Sequence, residues 1–103
     1  MDPGKYDGKF DDKGKRTGKG KCVWVDGSTY IGEWSNDVRH GKGVFTSREG
    51  TIHDGMFEDD IRQGPGKMTY ASGNTVEGTW EKDRLNGAGV LKNKGKSAIK
   101  VVF

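Results

Sequence analysis

Glycine recurs in this chain at a fixed interval, and that interval restricts the fold more than any other property of the sequence. The first glycines of "GKGKC", "GKGVF", "GPGKM" and "GAGVL", namely Gly18, Gly41, Gly64 and Gly87, stand 23 residues apart each time. Upstream, "KYDGKF", "TYIGEW", "IHDGMF" and "TVEGTW" place Gly8, Gly32, Gly55 and Gly78 two residues before Phe10, Trp34, Phe57 and Trp80. A third series, Gly27, Gly50 and Gly73, lies in "VDGS", "REGT" and "ASGN". Self-similarity at a period of about 20–50 residues marks a stacked array in which each unit buries its face only against its neighbours. The units are 5–28, 29–51, 52–74 and 75–97, followed by a half-unit over 98–103, in a single domain spanning 1–103. An extra residue in "DDKGKRT" of the first unit falls in a loop.

Each unit reads as a β-hairpin: a strand through the aromatic pair, a polar loop, a return strand from the Gly-x-Gly onward, and a tight glycine turn into the next unit. Strand alternation puts Tyr30, Gly32 and Trp34 on one face, and in simple register Gly41, Gly43 and Phe45 share it. A glycine between two large residues leaves bare backbone on which a neighbouring ring can lie, and the ring offsets the weakness of glycine in a strand. The same face collects Cys22, Phe45, Met68 and Leu91, then Trp24, Ser47, Tyr70 and Asn93, whereas the opposite face holds Asp7, Lys42, Asp54, Lys67 and Glu77. In "SAIKVVF", Ile99, Val101 and Phe103 take the Tyr, Gly and Trp places, so this half-unit is expected to cap the array. The fold class expected is all-β: an elongated single-layer antiparallel sheet of consecutive hairpins. About nine strands at ~4.8 Å spacing make a sheet roughly 40 Å long and 20 Å across.

The combination Tyr-x-Gly-x-Trp, a charged loop ending in His-Gly, then Gly-x-Gly and a later Gly resembles the MORN repeat family, with "YIGEWSNDVRHGKGVF" nearest to the pattern. Departures are His53 and Val76 in the Tyr place and Pro65 inside the third Gly-x-Gly. The resemblance implies a hairpin meander and a scaffold or adaptor role in eukaryotic cytoskeletal, ciliary or membrane-junction assemblies.

Function follows from what the sheet lacks. Hydrophobic residues make up only 30% of the chain, and no segment sustains apolar positions at i, i+3, i+4 and i+7, so no helix is expected to cover the aromatic face. An exposed apolar face rimmed by charge marks a partner site. The leading expectation is a non-catalytic module whose aromatic groove takes an extended peptide or an amphipathic helix of a larger protein, with Tyr6, Phe10, Tyr30, Trp34, Phe57, Met68, Tyr70 and Trp80 as anchors. The alternative is binding of acidic phospholipid headgroups and membrane tethering through Lys13, Lys15, Arg16, Lys19 and Lys21 near the start and Lys92, Lys94 and Lys96 near the end. The last strand also leaves an open edge through which two chains can pair.

Other classes find little support. Aromatic and basic residues do not interleave along one stripe, so no nucleic-acid partner is expected. "GKRTGKGK" is one residue short of a phosphate-binding loop, and no Ser or Thr follows Lys19. His40, His53 and Cys22 make no metal-ligand spacing, Cys22 falls in a core column, and no catalytic constellation or cofactor motif is present. The lone cysteine excludes an internal disulfide and suits a reducing compartment. With no signal-peptide pattern and no apolar run of membrane-spanning length, the expected location is cytoplasmic, with cytoskeletal or ciliary association implied by the resemblance.

Overall fold

The computed structural model describes residues 3–103. The strands are β1 (Pro3–Phe10), β2 (Arg16–Trp24), β3 (Thr29–Ser35), β4 (Val38–Thr46), β5 (Ile52–Glu58), β6 (Ile61–Thr69), β7 (Thr75–Glu81), β8 (Arg84–Leu85), β9 (Ala88–Lys92) and β10 (Ile99–Val102). They form one open antiparallel sheet in chain order, with the short β8 paired to β7 beside β9. The molecule measures 48 × 24 × 18 Å, close to the dimensions that strand spacing predicts.

Two kinds of turn alternate. Within the second, third and fourth units the strands meet at two-residue turns, Asn36–Asp37, Asp59–Asp60 and Lys82–Asp83, whose residues all have φ between 49° and 73°. This is the type I′ geometry that matches strand twist, built here without glycine. The expected polar loop of these units is therefore only two residues long, and Val38, Arg39 and His40 already belong to β4. Between units, Gly27, Gly50 and Gly73 have φ of 93–94° and close a longer turn. In it the Gly27 N–H donates to the Trp24 carbonyl at 3.0 Å and the Trp24 N–H to the Ser28 carbonyl at 2.9 Å.

Simple register holds across the middle of each hairpin and breaks near its turn. Gly32 faces Gly43, but Trp34 faces Arg39, because a bulge at Gly41 takes up extra residues of β4. The third unit repeats this, with Gly55 opposite Gly66 and Phe57 opposite Arg62. The result is a row of paired glycines crossing the sheet through Gly8, Gly20, Gly32, Gly43, Gly55, Gly66 and Gly78.

Rings lie on that row. A Cβ at Gly43 would overlap the Tyr30 phenol, one at Gly20 would overlap Tyr6, and one at Gly66 would come within 2.8 Å of His53 Cε1. Each of these rings is also wedged edge-on between two others: Tyr30 between Trp34 at 5.1 Å and Phe57 at 5.2 Å, His53 between Phe57 at 5.3 Å and Trp80 at 4.6 Å. Tyr6 repeats the pattern with Phe10 at 5.0 Å and Trp34 at 5.6 Å. Edge-to-face pairs contribute about 0.5–1.5 kcal/mol each beyond area burial, so this zipper links the four full units in series.

The fourth unit departs from the pattern. Val76 is too short to cover Gly89, and Phe103 covers it instead, with Cε2 2.5 Å from where a Cβ would be. Leu85 lies beside Gly78, its Cδ2 3.2 Å from the Cβ position. Among the described residues ten strands rather than nine result, because Asn86 and Gly87 interrupt the fourth return strand, the Asn86 N–H donating to the Thr79 carbonyl at 2.9 Å.

Candidate functional site

The aromatic face carries the chemistry that the sheet leaves uncovered. Its row of side chains crosses the strands as Tyr6, Cys22, Tyr30, Phe45, His53, Met68, Val76, Leu91 and Ile99. The opposite face crosses as Asp7, Lys21, Ile31, Val44, Asp54, Lys67, Glu77, Val90 and Lys100, a mixed and largely exposed surface.

Three arginine–aspartate pairs edge the aromatic face. Arg16, Arg39 and Arg62 reach Asp37, Asp60 and Asp83 of the following unit, each through Nε to Oδ1 and Nη2 to the aspartate's own carbonyl. The aspartate N–H donates back to the arginine carbonyl at 3.0–3.1 Å. Each guanidinium also lies over rings: Arg16 is 4.4 Å from the Trp34 centroid, and Arg39 is 5.1 Å from Phe57 and 5.3 Å from Phe45. Hydrogen bonds from Arg16 hold the Asp37 carboxyl below its ordinary pKa. At Asp83 burial pushes the pKa up, but the Arg62 hydrogen bonds outweigh it and the net shift is downward. The arginines are mostly covered, whereas their aspartates are about half exposed, so each neutral pair turns carboxylate oxygens rather than guanidinium nitrogens toward solvent.

The expected anchors divide into two groups. Tyr30, Trp34, Phe57 and Trp80 are buried by their own chain, at 0–4% exposure. The Tyr30 hydroxyl donates to the Glu33 carbonyl at 3.0 Å, and the Trp34 indole N–H donates to the Gly20 carbonyl at 3.1 Å. Burial pushes the Tyr30 pKa up to about 12. These four residues hold neighbouring hairpins together, and as placed they offer a partner little surface. Phe10 and Tyr70 are exposed at 58% and 40%, and Tyr6 and Met68 are partly covered. Phe45 and Arg39, which sequence reasoning did not select, join Met68 on the open part of the face.

The lysines expected to bind lipid do not converge. Lys19 and Lys21 lie on β2 and Lys92 ends β9, six strand spacings away or roughly 30 Å, with Lys13 and Lys15 in the first loop and Lys94 and Lys96 in the last. Arg16 leaves that cluster altogether, because its guanidinium turns inward to Asp37 and Trp34.

The face is not uniformly filled. Trp24 is 8% exposed and packs against Trp34 at 6.4 Å and Phe45 at 5.8 Å, closing the space over the first two units. One unit later a cleft of about 370 Å³ opens, lined by Arg39, Phe45, Ser47, His53, Phe57 and Met68 among others. His53 sits in its wall at 3% exposure, and neither ring nitrogen has a hydrogen-bond partner among the described residues. Burial, helped by the Arg62 charge, lowers the His53 pKa to about 4, so the imidazole is neutral at physiological pH.

No helix among the described residues is long and apolar enough to cross a membrane. A comparison with curated proteins finds no match. The MORN repeat family model matches four times, at residues 6–29, 30–52, 53–75 and 77–95, in phase with the glycine row and the ring zipper. MORN repeats are commonly protein- or membrane-interacting scaffold modules and are non-catalytic repeat units. With most of its length matched by that family's model and a sheet built as consecutive hairpins, this chain belongs to the MORN-repeat family.

Proposed function

We propose that the protein is a non-catalytic adaptor whose aromatic face docks a helix or extended peptide of a larger protein, within a cytoskeletal or ciliary assembly. The observation that carries this reading is the uncovered cleft over Phe45, Phe57 and Met68, bordered by the half-exposed carboxylates Asp60 and Asp83. A single sheet has no second layer of its own to place over such a surface, and apolar surface bordered by charge is where partners bind. The surface suits an amphipathic helix, whose apolar stripe enters the cleft while its polar flanks meet the charged edge.

The separation of the lysines supports a protein partner over a single phospholipid-headgroup site, which needs its cations gathered in one place. Flotation with anionic vesicles at physiological salt distinguishes the two readings, and the docking reading expects the protein to stay at the bottom of the gradient. The main test is affinity for a copurified partner. Tyr70→Ala and Met68→Glu on the aromatic face should weaken it at least about tenfold, or about 1.4 kcal/mol. Lys42→Glu and Lys67→Glu on the other face should leave it unchanged. Unaltered affinity in folded Tyr70→Ala and Met68→Glu proteins rejects the reading.

A further inference from the structure

The repeat supplies its own template for what belongs in the cleft. Adding 23 to Arg16, Cys22, Trp24, Tyr30, Trp34 and Phe45 gives Arg39, Phe45, Ser47, His53, Phe57 and Met68, all of which line it. The turn that bears position 24 recurs with the same bonds at position 47: the Ser47 N–H donates to the Thr51 carbonyl at 2.8 Å, and the Gly50 N–H donates to Ser47 at 3.0 Å. The backbone of the turn and the places of the lining residues are thus repeated, with Arg39 keeping the residue type of Arg16, while the indole is not. Where Trp24 lies over Trp34 and Phe45, Ser47 leaves the corresponding space over Phe57 and Met68 empty. In the third unit Tyr70 fills the turn position again, at 40% exposure. The second unit alone, of these three, has no ring there.

We propose that this compartment is a seat for one bulky aromatic side chain of a partner protein, Trp above all, flanked in the partner by basic residues. This rests on the aromatic face being the docking surface, and it specifies what enters. Shape is given by the preceding unit, in which Trp24 occupies the equivalent place. Charge is given by Asp60 and Asp83, about half exposed on the edge of the seat, while the guanidinium groups paired with them are largely covered. Successive members of the series Asp37, Asp60 and Asp83 lie two strands apart, roughly 10 Å, and seven residues of α-helix rise about the same distance. A helix running across the strands can therefore present Lys or Arg to successive aspartates from positions seven residues apart.

The test uses the whole chain and two defined probes, the blocked tripeptides Ac-Lys-Trp-Lys-NH2 and Ac-Glu-Trp-Glu-NH2, with the Met68 methyl resonance as readout. The Lys peptide should give a saturable shift with a Kd on the order of millimolar, as fits one buried side chain. The Glu peptide should bind at least about threefold more weakly at low salt, and the difference should shrink as salt is added. Ser47→Trp, which fills the seat from within, should weaken both at least about tenfold and raise the Tm; Ser47→Phe repeats the test with a smaller ring.

An unshifted Met68 methyl, equal affinity for the two peptides, or undiminished binding to both filled variants overturns the proposal. If the peptides miss the seat while Tyr70→Ala still weakens the partner complex, the seat fails and the docking face stands. If they fill the seat but the partner ignores Tyr70→Ala and Met68→Glu, the docking reading fails.

Discussion

Replacing His53 by Tyr should stabilise the protein and remove most of its sensitivity to mild acid. Tyr6 and Tyr30, at the equivalent position of earlier units, donate to the carbonyls three residues on, Lys9 at 2.9 Å and Glu33 at 3.0 Å. His53 is too short to reach Met56 in that way, and both its nitrogens are unpartnered among the described residues. The room for a phenol exists already, since Gly55 and Gly66 occupy the places of Gly32 and Gly43. A new hydrogen bond contributes about 1 kcal/mol, and relieving a buried unsatisfied group about 1–3 kcal/mol. A net gain of about 2 kcal/mol at pH 7 is expected, and with it a Tm higher by roughly 10 °C for a domain of this size.

The pH dependence has a definite sign. The folded-state pKa of about 4 lies below the unfolded value of 6.5, so the unfolded chain binds the extra proton between them. The contribution of the neutral imidazole is complete above pH 6.5 and is lost as the pH falls toward 4. Relative to pH 7, it should cost wild type about 2 kcal/mol at pH 5, at 1.36 kcal/mol per pKa unit. Urea unfolding of both proteins at pH 7 and pH 5 measures this. A His53→Tyr protein that is less stable at pH 7, or that loses as much as wild type between the two pH values, refutes the reasoning.

Three further outcomes follow from the same contacts. Gly43→Ala should cost about 3 kcal/mol, since the methyl overlaps the Tyr30 phenol, whereas the nearest atom to a methyl at Gly78 is Leu85 Cδ2 at 3.2 Å and Gly78→Ala should cost about 1 kcal/mol; equal losses in denaturant melts would show that the glycine row is not there for the rings. Arg39→Lys should lose about 1–2 kcal/mol by urea unfolding, because Lys cannot hold Asp60 through two nitrogens or stack over Phe57 and Phe45, while Arg48→Lys at an exposed site should change stability by under about 0.5 kcal/mol. Cys22, fully buried and with its thiol pKa raised by burial, should react with a thiol reagent only at the rate the sheet opens, and labelling of the native protein as fast as a free thiol would contradict its placement.

Period, faces and strand order were legible because a side-chain period of two, set against a repeat of 23, leaves one pairing consistent with the glycines. The arginine–aspartate pairs were equally present in the sequence and went unread. Arg16, Arg39 and Arg62 recur every 23 residues, and so do Asp37, Asp60 and Asp83, but Arg16 stood among lysines and the aspartates stood in turns. Matching the two series at their constant offset of 21 would have found the pairs. The type I′ turns were hidden because Asn-Asp, Asp-Asp and Lys-Asp lack the glycine that usually announces them.

Burial depth was the hardest property to read. Alternation assigns Tyr30 to a face, yet only the bare backbone of Gly32 and Gly43 lets its ring lie down and become fully buried in a one-layer protein. The open seat depends on a comparison that alternation does not make, between Trp24 and Ser47 at the same place in successive units. In the last unit, Leu85 and Phe103 take over positions that a Tyr occupies elsewhere, and no local rule connects them to Val76.

Hydroxyl-radical footprinting of the chain with and without its copurified partner tests the docking face most directly. Phe45, Met68 and Tyr70 should become protected together while Ile31, Val44 and Val90 on the other face keep their reactivity. Protection of Ile31, Val44 and Val90 with no change at Phe45, Met68 and Tyr70 would contradict the account.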